Sequence, residues 1–378
     1  MRQMPFVFGK STDYQNFTDR DKESEQLQQN FKSLINTTII SPRRWGKTSL
    51  VENVALKVME KNDKIKVCTL DIFNVRSEAE FYEQYAEAIL NATANKWEEL
   101  MANAKEFLAH LSPKISFSTA GQAEISFGIR WQDIRKNPDD ILNLAETIAK
   151  AKRIKIIVCI DEFQAIGEFD EPLAFQRKLR SHWQHHHHVA YCLYGSKRHM
   201  LLDIFSNVSM PFYKFGDILF LEKIGNTTWG AFIQRRFFDT GKKITVEQAE
   251  YLASQVDNHS YYVQQLAQQA WLRTKTSCAI KIIDDALQGI KNQLDLLFVS
   301  QIEALSTTQI NFLKAVLQGK TLLTSNEVLK QYKLGTSANV GRIKNTLMSK
   351  EIIDINGKQV EILDPIFKLW LKEDYFKF

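Results

Sequence analysis

Ser41-Pro42-Arg43-Arg44-Trp45-Gly46-Lys47-Thr48 decides how this chain is read. The apolar run Thr38-Ile39-Ile40 precedes it, and the helix-patterned Ser49-Leu50-Val51-Glu52-Asn53-Val54-Ala55 follows. A strand, a loop and a helix in that order is the context a phosphate-binding loop requires. Backbone N–H groups of such a loop turn inward and join the helix N-terminus in attracting a polyphosphate. The segment Ser41–Ser49 is therefore expected to hold a polyphosphate, with Lys47 reaching the β- and γ-phosphates and the Thr48 hydroxyl ligating Mg²⁺. Ser41 stands where the pattern G-x-x-x-x-G-K-[ST] has its first glycine; serine is small and at home in turns, so the loop can close. A Gly-Lys-Thr at a helix start also arises by chance, so a second element has to support it.

That element is Lys155-Ile156-Ile157-Val158-Cys159-Ile160, an unbroken apolar run after a basic start that ends in Asp161-Glu162. Such a run suits a parallel strand buried on both faces. Two acids at the C-terminal edge of a central strand lie where ligands bind in doubly wound sheets. Asp161 would hold Mg²⁺, directly or through water, and Glu162 would polarise the attacking water. The plainer alternative is a solvated strand end with two surface acids, and the loop upstream weighs against it. Together the two elements indicate an α/β P-loop NTPase.

Composition agrees. A chain of 378 residues with 44% hydrophobic and 25% charged residues suits two or three folded domains. No apolar stretch reaches membrane-spanning length, and the first ten residues lack the apolar core of an export signal, so a cytoplasmic protein is expected. Cys68, Cys159, Cys192 and Cys278 show no metal-ligand spacing and read as small buried hydrophobes. A formal net charge of +5 permits nucleic-acid contact without arguing for it.

The pattern then changes twice along the chain. Up to about Glu222, short apolar runs at 38–40, 66–71, 154–160, 189–194 and 217–221 alternate with amphipathic helices, as in an open parallel sheet. A helix after Phe17-Thr18-Asp19-Arg20-Asp21, carrying Leu27, Phe31 and Leu34, is expected to pack near the nucleotide base. Between Trp97 and Lys152 lies an insertion in which residues 115–129 alternate around Gly121, a hairpin signal. Residues 223–301 read as all helix, with apolar repeats at 229–238, 246–256, 261–273 and 282–297. Residues 302–378 read as helices at 308–318, 325–332 and 337–349, then strands 352–355 and 360–363 about an Asn356-Gly357 turn. Three helices followed by a hairpin is a winged-helix arrangement, with Arg342, Lys344 and nearby Lys350 at the recognition position.

With Phe17-Thr-Asp-Arg-Asp-Lys-Glu23, Ser41–Leu50, Ile160-Asp-Glu-Phe-Gln164, Gly195-Ser196, Pro211-Phe-Tyr213 and Leu363-Asp-Pro-Ile-Phe-Lys-Leu-Trp-Leu371, the chain resembles archaeal-type ATPases. These form part of the signal-transduction (STAND) branch of the AAA+ P-loop superfamily, and the matching residues run along almost the whole length. The resemblance implies an ATP-binding core (residues 1–222), a helical lid (223–301) and a winged helix (302–378). It also implies a sensor role for Ser196, which follows the apolar strand 189–194 and would contact the γ-phosphate or the attacking water; a turn serine bonded to backbone is the alternative. Ser41 departs from the family pattern. So does Lys214-Phe215, where similar proteins often carry Gly-Arg, and so does Asn258-His259-Ser260, where many have a Gly-x-Pro turn.

Three features read as structural. The side chains of Arg43 and Arg44 are more simply solvent-facing or acid-paired than bound to nucleotide, and Trp45 more simply packs than stacks on adenine. His185-His186-His187-His188, with His182 nearby, cannot all face one ion from a regular element, so a solvated loop or helix end is expected rather than a metal site. Glu168-Phe169-Asp170-Glu171 reads as a surface loop. Eleven Lys/Arg against eight Asp/Glu over residues 301–378 is a weak basic footprint, so the winged helix could face DNA or a protein partner. Two function classes follow. One is an ATPase switch in which ATP clamps the lid, hydrolysis releases it, and the winged helix is the output. The other is a nucleotide-gated DNA- or protein-binding regulator with little turnover. The residues leave open whether the chain acts as a monomer or a homo-oligomer.

Overall fold

The structure is a computed structural model and describes residues 4–9, 18–94, 114–117, 123–126, 138–357 and 359–378. They fall into two compact units, Arg20–Glu222 and a second formed by Lys223–Phe378 with the described part of Met1–Asp19.

The first unit runs α1 (Asp21–Ser33), β1 (Thr37–Ile40), α2 (Lys47–Lys61), β2 (Ile65–Asp71), α3 (Glu78–Thr93), β3 (Lys114–Phe117), β4 (Ala123–Ser126), α4 (Pro138–Leu142), α5 (Leu144–Lys152), β5 (Lys155–Asp161), α6 (Pro172–Trp183), β6 (Val189–Gly195), α7 (Arg198–Ser206) and β7 (Asp217–Phe220). Five strands form a parallel sheet in the order β2-β5-β6-β1-β7. Thr37–Ile40 is buried throughout and Ile156–Ile160 likewise, as expected for strands covered on both faces. The five apolar runs of the sequence are these strands, shifted by a residue at most of their ends. The predicted hairpin is β3–β4, antiparallel with Lys114 opposite Ser126; its turn at Gly121 lies outside the described residues.

Aromatic rings build the core around this sheet. Trp183, at the end of α6, stacks on Tyr191 of β6 with centroids 4.0 Å apart, and Tyr85 of α3 lies near-parallel to the same indole at 6.1 Å. Phe163, Phe212 and Phe215 close around the same indole, and Phe205 packs on Phe163 and Phe212. Rings of this size dominate burial energetics, and offset contacts add about 0.5–1.5 kcal/mol each. Leu27 and Phe31 of α1 are buried and Leu34 half-buried, with α1 packed on α2.

The second unit is helical as expected: α8 (Asn226–Asp239), α9 (Val246–Gln255), α10 (Ser260–Arg273) and α11 (Ile280–Glu303). α12 (Thr307–Leu317), α13 (Asn326–Gln331), α14 (Ser337–Ser349), β8 (Ile353–Asn356) and β9 (Gln359–Ile362) then make the winged helix, followed by α15 (Pro365–Trp370). Local chemistry sets the helix starts: Thr245 with Gln248 and Ser306 with Gln309 form capping boxes. The hairpin differs from expectation by one position. Asn356 pairs with Gln359, so the loop begins at Gly357, whose φ of 61° supplies the left-handed backbone the turn needs.

The segment before Asp19 was expected to belong with the P-loop unit and groups instead with the helical one. Phe6 is buried there against Phe232 and Phe237, and the Arg236 guanidinium donates to the Pro5 carbonyl at 2.7 Å. In the same unit the Asp364-Pro-Ile-Phe-Lys-Leu-Trp370 stretch seats α15 on α10 and α11. Asp364 caps α15 by accepting from the N–H groups of Ile366 and Phe367, and it also accepts from the Tyr262 hydroxyl of α10. The Trp370 indole donates to Asp295 of α11 at 2.7 Å, and Lys368 pairs with Asp257 at 2.8 Å.

Candidate nucleotide site

Parallel pairing carries three chain segments to one edge of the sheet. Ile40 at the end of β1 is level with Gly195 of β6 and Phe220 of β7, while Ile160 of β5 is level with Leu193. The loop after β1, the Gly195-Ser196 step and Asp161-Glu162 therefore emerge side by side, with β6 between the other two strands.

The loop makes its turn with two left-handed residues, Arg44 (φ 65°) and Gly46 (φ 90°). At Gly46 the space is open and it is the backbone angle that disfavours any side chain. Ser41 is fully buried, and its hydroxyl donates to the Pro42 carbonyl at 3.1 Å, so serine closes the loop where glycine is usual. Arg20, a residue the sequence reading did not single out, braces the loop from below. Its buried guanidinium donates to the carbonyls of Glu222 (2.6 Å) and Trp45 (3.5 Å) and pairs with Glu23 at 2.9 Å. Arg43 and Arg44 are exposed and Trp45 half-buried.

Lys47 opens α2 and Thr48 follows it. The Thr48 hydroxyl donates to Asp161 Oδ2 at 2.8 Å, so the two expected Mg²⁺ ligands meet. Both are hard oxygen donors, the type this ion takes, and the pair fits it. Buried Lys47 places Nζ 3.9 Å from Glu162 Oε1. Ser196 donates to Glu162 Oε2 from its hydroxyl at 2.9 Å and from its N–H at 3.3 Å. Burial is the main influence on Asp161 and pushes its carboxyl up to about 6, against the pull of Lys47, the Thr48 hydroxyl and the Glu162 N–H.

A residue not foreseen also touches the site. Gln164 is buried, and its amide Nε2 donates to Glu162 Oε2 at 2.5 Å. Only the Asp-Glu-Phe-Gln spacing could have signalled it.

Other expectations resolve in the surroundings. Lys214 takes a left-handed φ of 54°, suiting the glycine slot of similar proteins. Phe215, in their arginine slot, is buried against Trp183, Tyr191 and Phe212, with the Arg180 guanidinium 4.8 Å over its face. That slot supplies packing in place of a cation. The histidine run is less solvated than expected. His185 and His187 are exposed, but His186 bonds the Tyr191 hydroxyl at 2.8 Å and Asn143 at 3.1 Å, and His188 Nδ1 lies 2.9 Å from buried Glu146. Burial drives His186 down to about 4, which keeps it neutral. Among the described residues no group of three or more His, Cys, Asp or Glu is gathered in one place to hold a metal ion. Phe169 of the predicted surface loop is buried against Phe175. All four cysteines are buried and free.

Comparisons with known proteins agree with this geometry. Residues 45–165 match the KAP family P-loop domain, and residues 296–373 match a model described as "Probable winged helix domain". The chain thus combines a P-loop domain with a C-terminal winged helix. Among solved structures, a Walker-type ATPase of Pyrococcus abyssi is similar at 15% identity and a TM-score of 0.66, over 97% of this chain and 99% of that one. The ORC2 protein of Aeropyrum pernix in ADPNP–ADP complexes is similar at 15% identity and 0.55, over 96% and 92%. At these identities the likeness is one of fold. No curated protein matches the sequence. Among the described residues no helix is long and apolar enough to cross a membrane.

Proposed function

We propose that the chain is an ATP-binding and ATP-hydrolysing molecular switch of the AAA+/STAND type whose nucleotide state governs its winged helix. The observation that carries this reading is the meeting of Lys47, Thr48, Asp161, Glu162 and Ser196 at one sheet edge. Lys47 and the main chain of residues 41–49 bind the phosphates. Thr48 and Asp161 hold Mg²⁺, which neutralises charge on the phosphate oxygens when bound. Glu162 orients the attacking water and accepts its proton. Ser196, already bonded to Glu162, offers its hydroxyl to the γ-phosphate or to that water. The ADPNP–ADP complexes of the similar ORC2 protein support a nucleotide in this cleft.

A steady-state phosphate-release assay tests the reading. Glu162→Gln is expected to retain ATP while turnover falls by about 10²- to 10⁴-fold, the usual contribution of a positioned acid or base. Equal, slow release by wild type and variant would remove the hydrolase and leave a nucleotide-gated regulator. The winged helix favours a modest contact surface in either case. On α14, Val340, Ile343 and Leu347 face inward, Arg342 and Asn345 are exposed, and Lys344 is half-buried. Lys350, just beyond, donates to the Ala304 carbonyl at 2.9 Å. A single exposed arginine on that face fits a protein partner or weak DNA contact better than base readout.

A further inference from the structure

Three features around Glu162 belong together. Its backbone is left-handed, with φ 53°, so the chain turns sharply off β5 and enters the short 3₁₀ turn Phe163–Glu168. Phe163 anchors that turn in the aromatic core, edge-to-face with Phe212 at 5.4 Å. Folding back in this way brings Gln164 over the Glu162 carboxylate, where its Nε2 donates at 2.5 Å.

The room for this arrangement comes from Gly195. A Cβ at that position would lie 1.9 Å from Gln164 Oε1 and 3.0 Å from its Cδ, and 3.3 Å from the Glu162 Cα. The end of β6 is thus bare where the amide passes, and the next residue, Ser196, grips the same carboxylate oxygen. Gln164 Oε1 is buried and has no hydrogen-bond partner among the described residues. Leaving a buried acceptor unpaired is costly, so packing alone does not explain a glutamine here. An apolar side chain of that length would fill the space without the penalty.

We propose that Gln164 is a positioning residue for Glu162, its amide fixing the carboxylate against Ser196 through a gap that only Gly195 leaves open. The role in turnover rests on the hydrolase reading above; the role in placing the carboxylate does not. With Gln164 in place, the carboxylate is shared by an amide, a hydroxyl and the Lys47 ammonium. When Ser196 and Lys47 turn to phosphate, Gln164 remains as the donor that keeps Glu162 aimed.

Two readouts on the full chain test this. The first is a crystal structure of nucleotide-free Gln164→Leu, in which Glu162 is expected to leave the Ser196 contact or occupy more than one rotamer. Gln164→Met serves in its place if the leucine variant does not fold by circular dichroism. The second is phosphate release, where kcat is expected to fall about 10- to 100-fold, the scale of a misplacement near 1 Å, with KM for ATP within about twofold. Gly195→Ala, by displacing the amide, should give the same loss, and the double variant should be no worse than either single one. A Glu162 carboxylate that stays on Ser196 in the variant overturns the proposal, as does a double variant in which the losses multiply. If wild type proves not to turn over, the crystal structure alone decides positioning, and it is the hydrolase reading that has failed.

Discussion

Asp161 should destabilise the nucleotide-free protein at neutral pH, because the fold buries its charge. Its carboxyl is pushed from 3.8 to about 6. A group that binds its proton more tightly folded than unfolded makes stability fall as pH rises between those two values. Below about pH 4 both states are protonated and the effect is absent; above about pH 6 it is complete. A shift near two units corresponds to at most about 3 kcal/mol at 1.36 kcal/mol per unit. Asp161 is partly open to solvent, which reduces the expected penalty to about 2 kcal/mol. Asp161→Asn removes the charge and keeps one acceptor for the Glu162 N–H, while the Thr48 hydroxyl can turn to accept from the new amide. Urea denaturation without nucleotide or Mg²⁺ should therefore show the variant more stable than wild type by about 2 kcal/mol at pH 7.5 and equal to it near pH 4. A variant less stable at pH 7.5, or one whose gain ignores pH, would refute the reasoning.

Glu146 should behave in the opposite sense. Burial favours its neutral form, but hydrogen bonds from the His188 ring and N–H, the His187 N–H and Lys150 outweigh this and hold it at about 2. Its contribution is therefore present above about pH 4.5 and lost as pH falls toward 2. Glu146→Gln should cost about 2 kcal/mol in urea melts at pH 7 and little near pH 2. Asp364→Ala removes the cap of α15 and the partner of Tyr262 together, and should lower stability by about 2–3 kcal/mol by denaturant titration. Asp364→Asn, which keeps a capping oxygen, should recover about half of that loss.

The sheet and the position of the candidate site are legible because each strand is a short apolar run and the candidate residues sit at strand ends. Lys47, Thr48, Asp161 and Glu162 lie within or beside such runs, so local pattern located them, and parallel pairing brought them together. The helices of the second unit are legible in their three- and four-residue spacing. What stayed hidden depends on contacts distant in sequence or on backbone angle. Arg20 meets Glu222 and Trp45 across the fold, and nothing around it in the chain marks it as buried. Gln164 matters through a left-handed Glu162 and a bare Gly195, neither of which residue type reveals. His186 looked solvated in a run of four imidazoles, yet Tyr191 and Asn143 draw it inward. Phe6 joined the helical unit through rings more than two hundred residues away.

Titration calorimetry of Mg²⁺–ATP into the purified chain, beside Lys47→Ala, addresses the central claim most directly. Wild type is expected to take up about one nucleotide per chain. Without the ammonium, affinity should fall about 10- to 100-fold, the scale of losing one charge-assisted contact to phosphate. Absence of uptake by wild type, or equal affinity in the alanine variant, would contradict it.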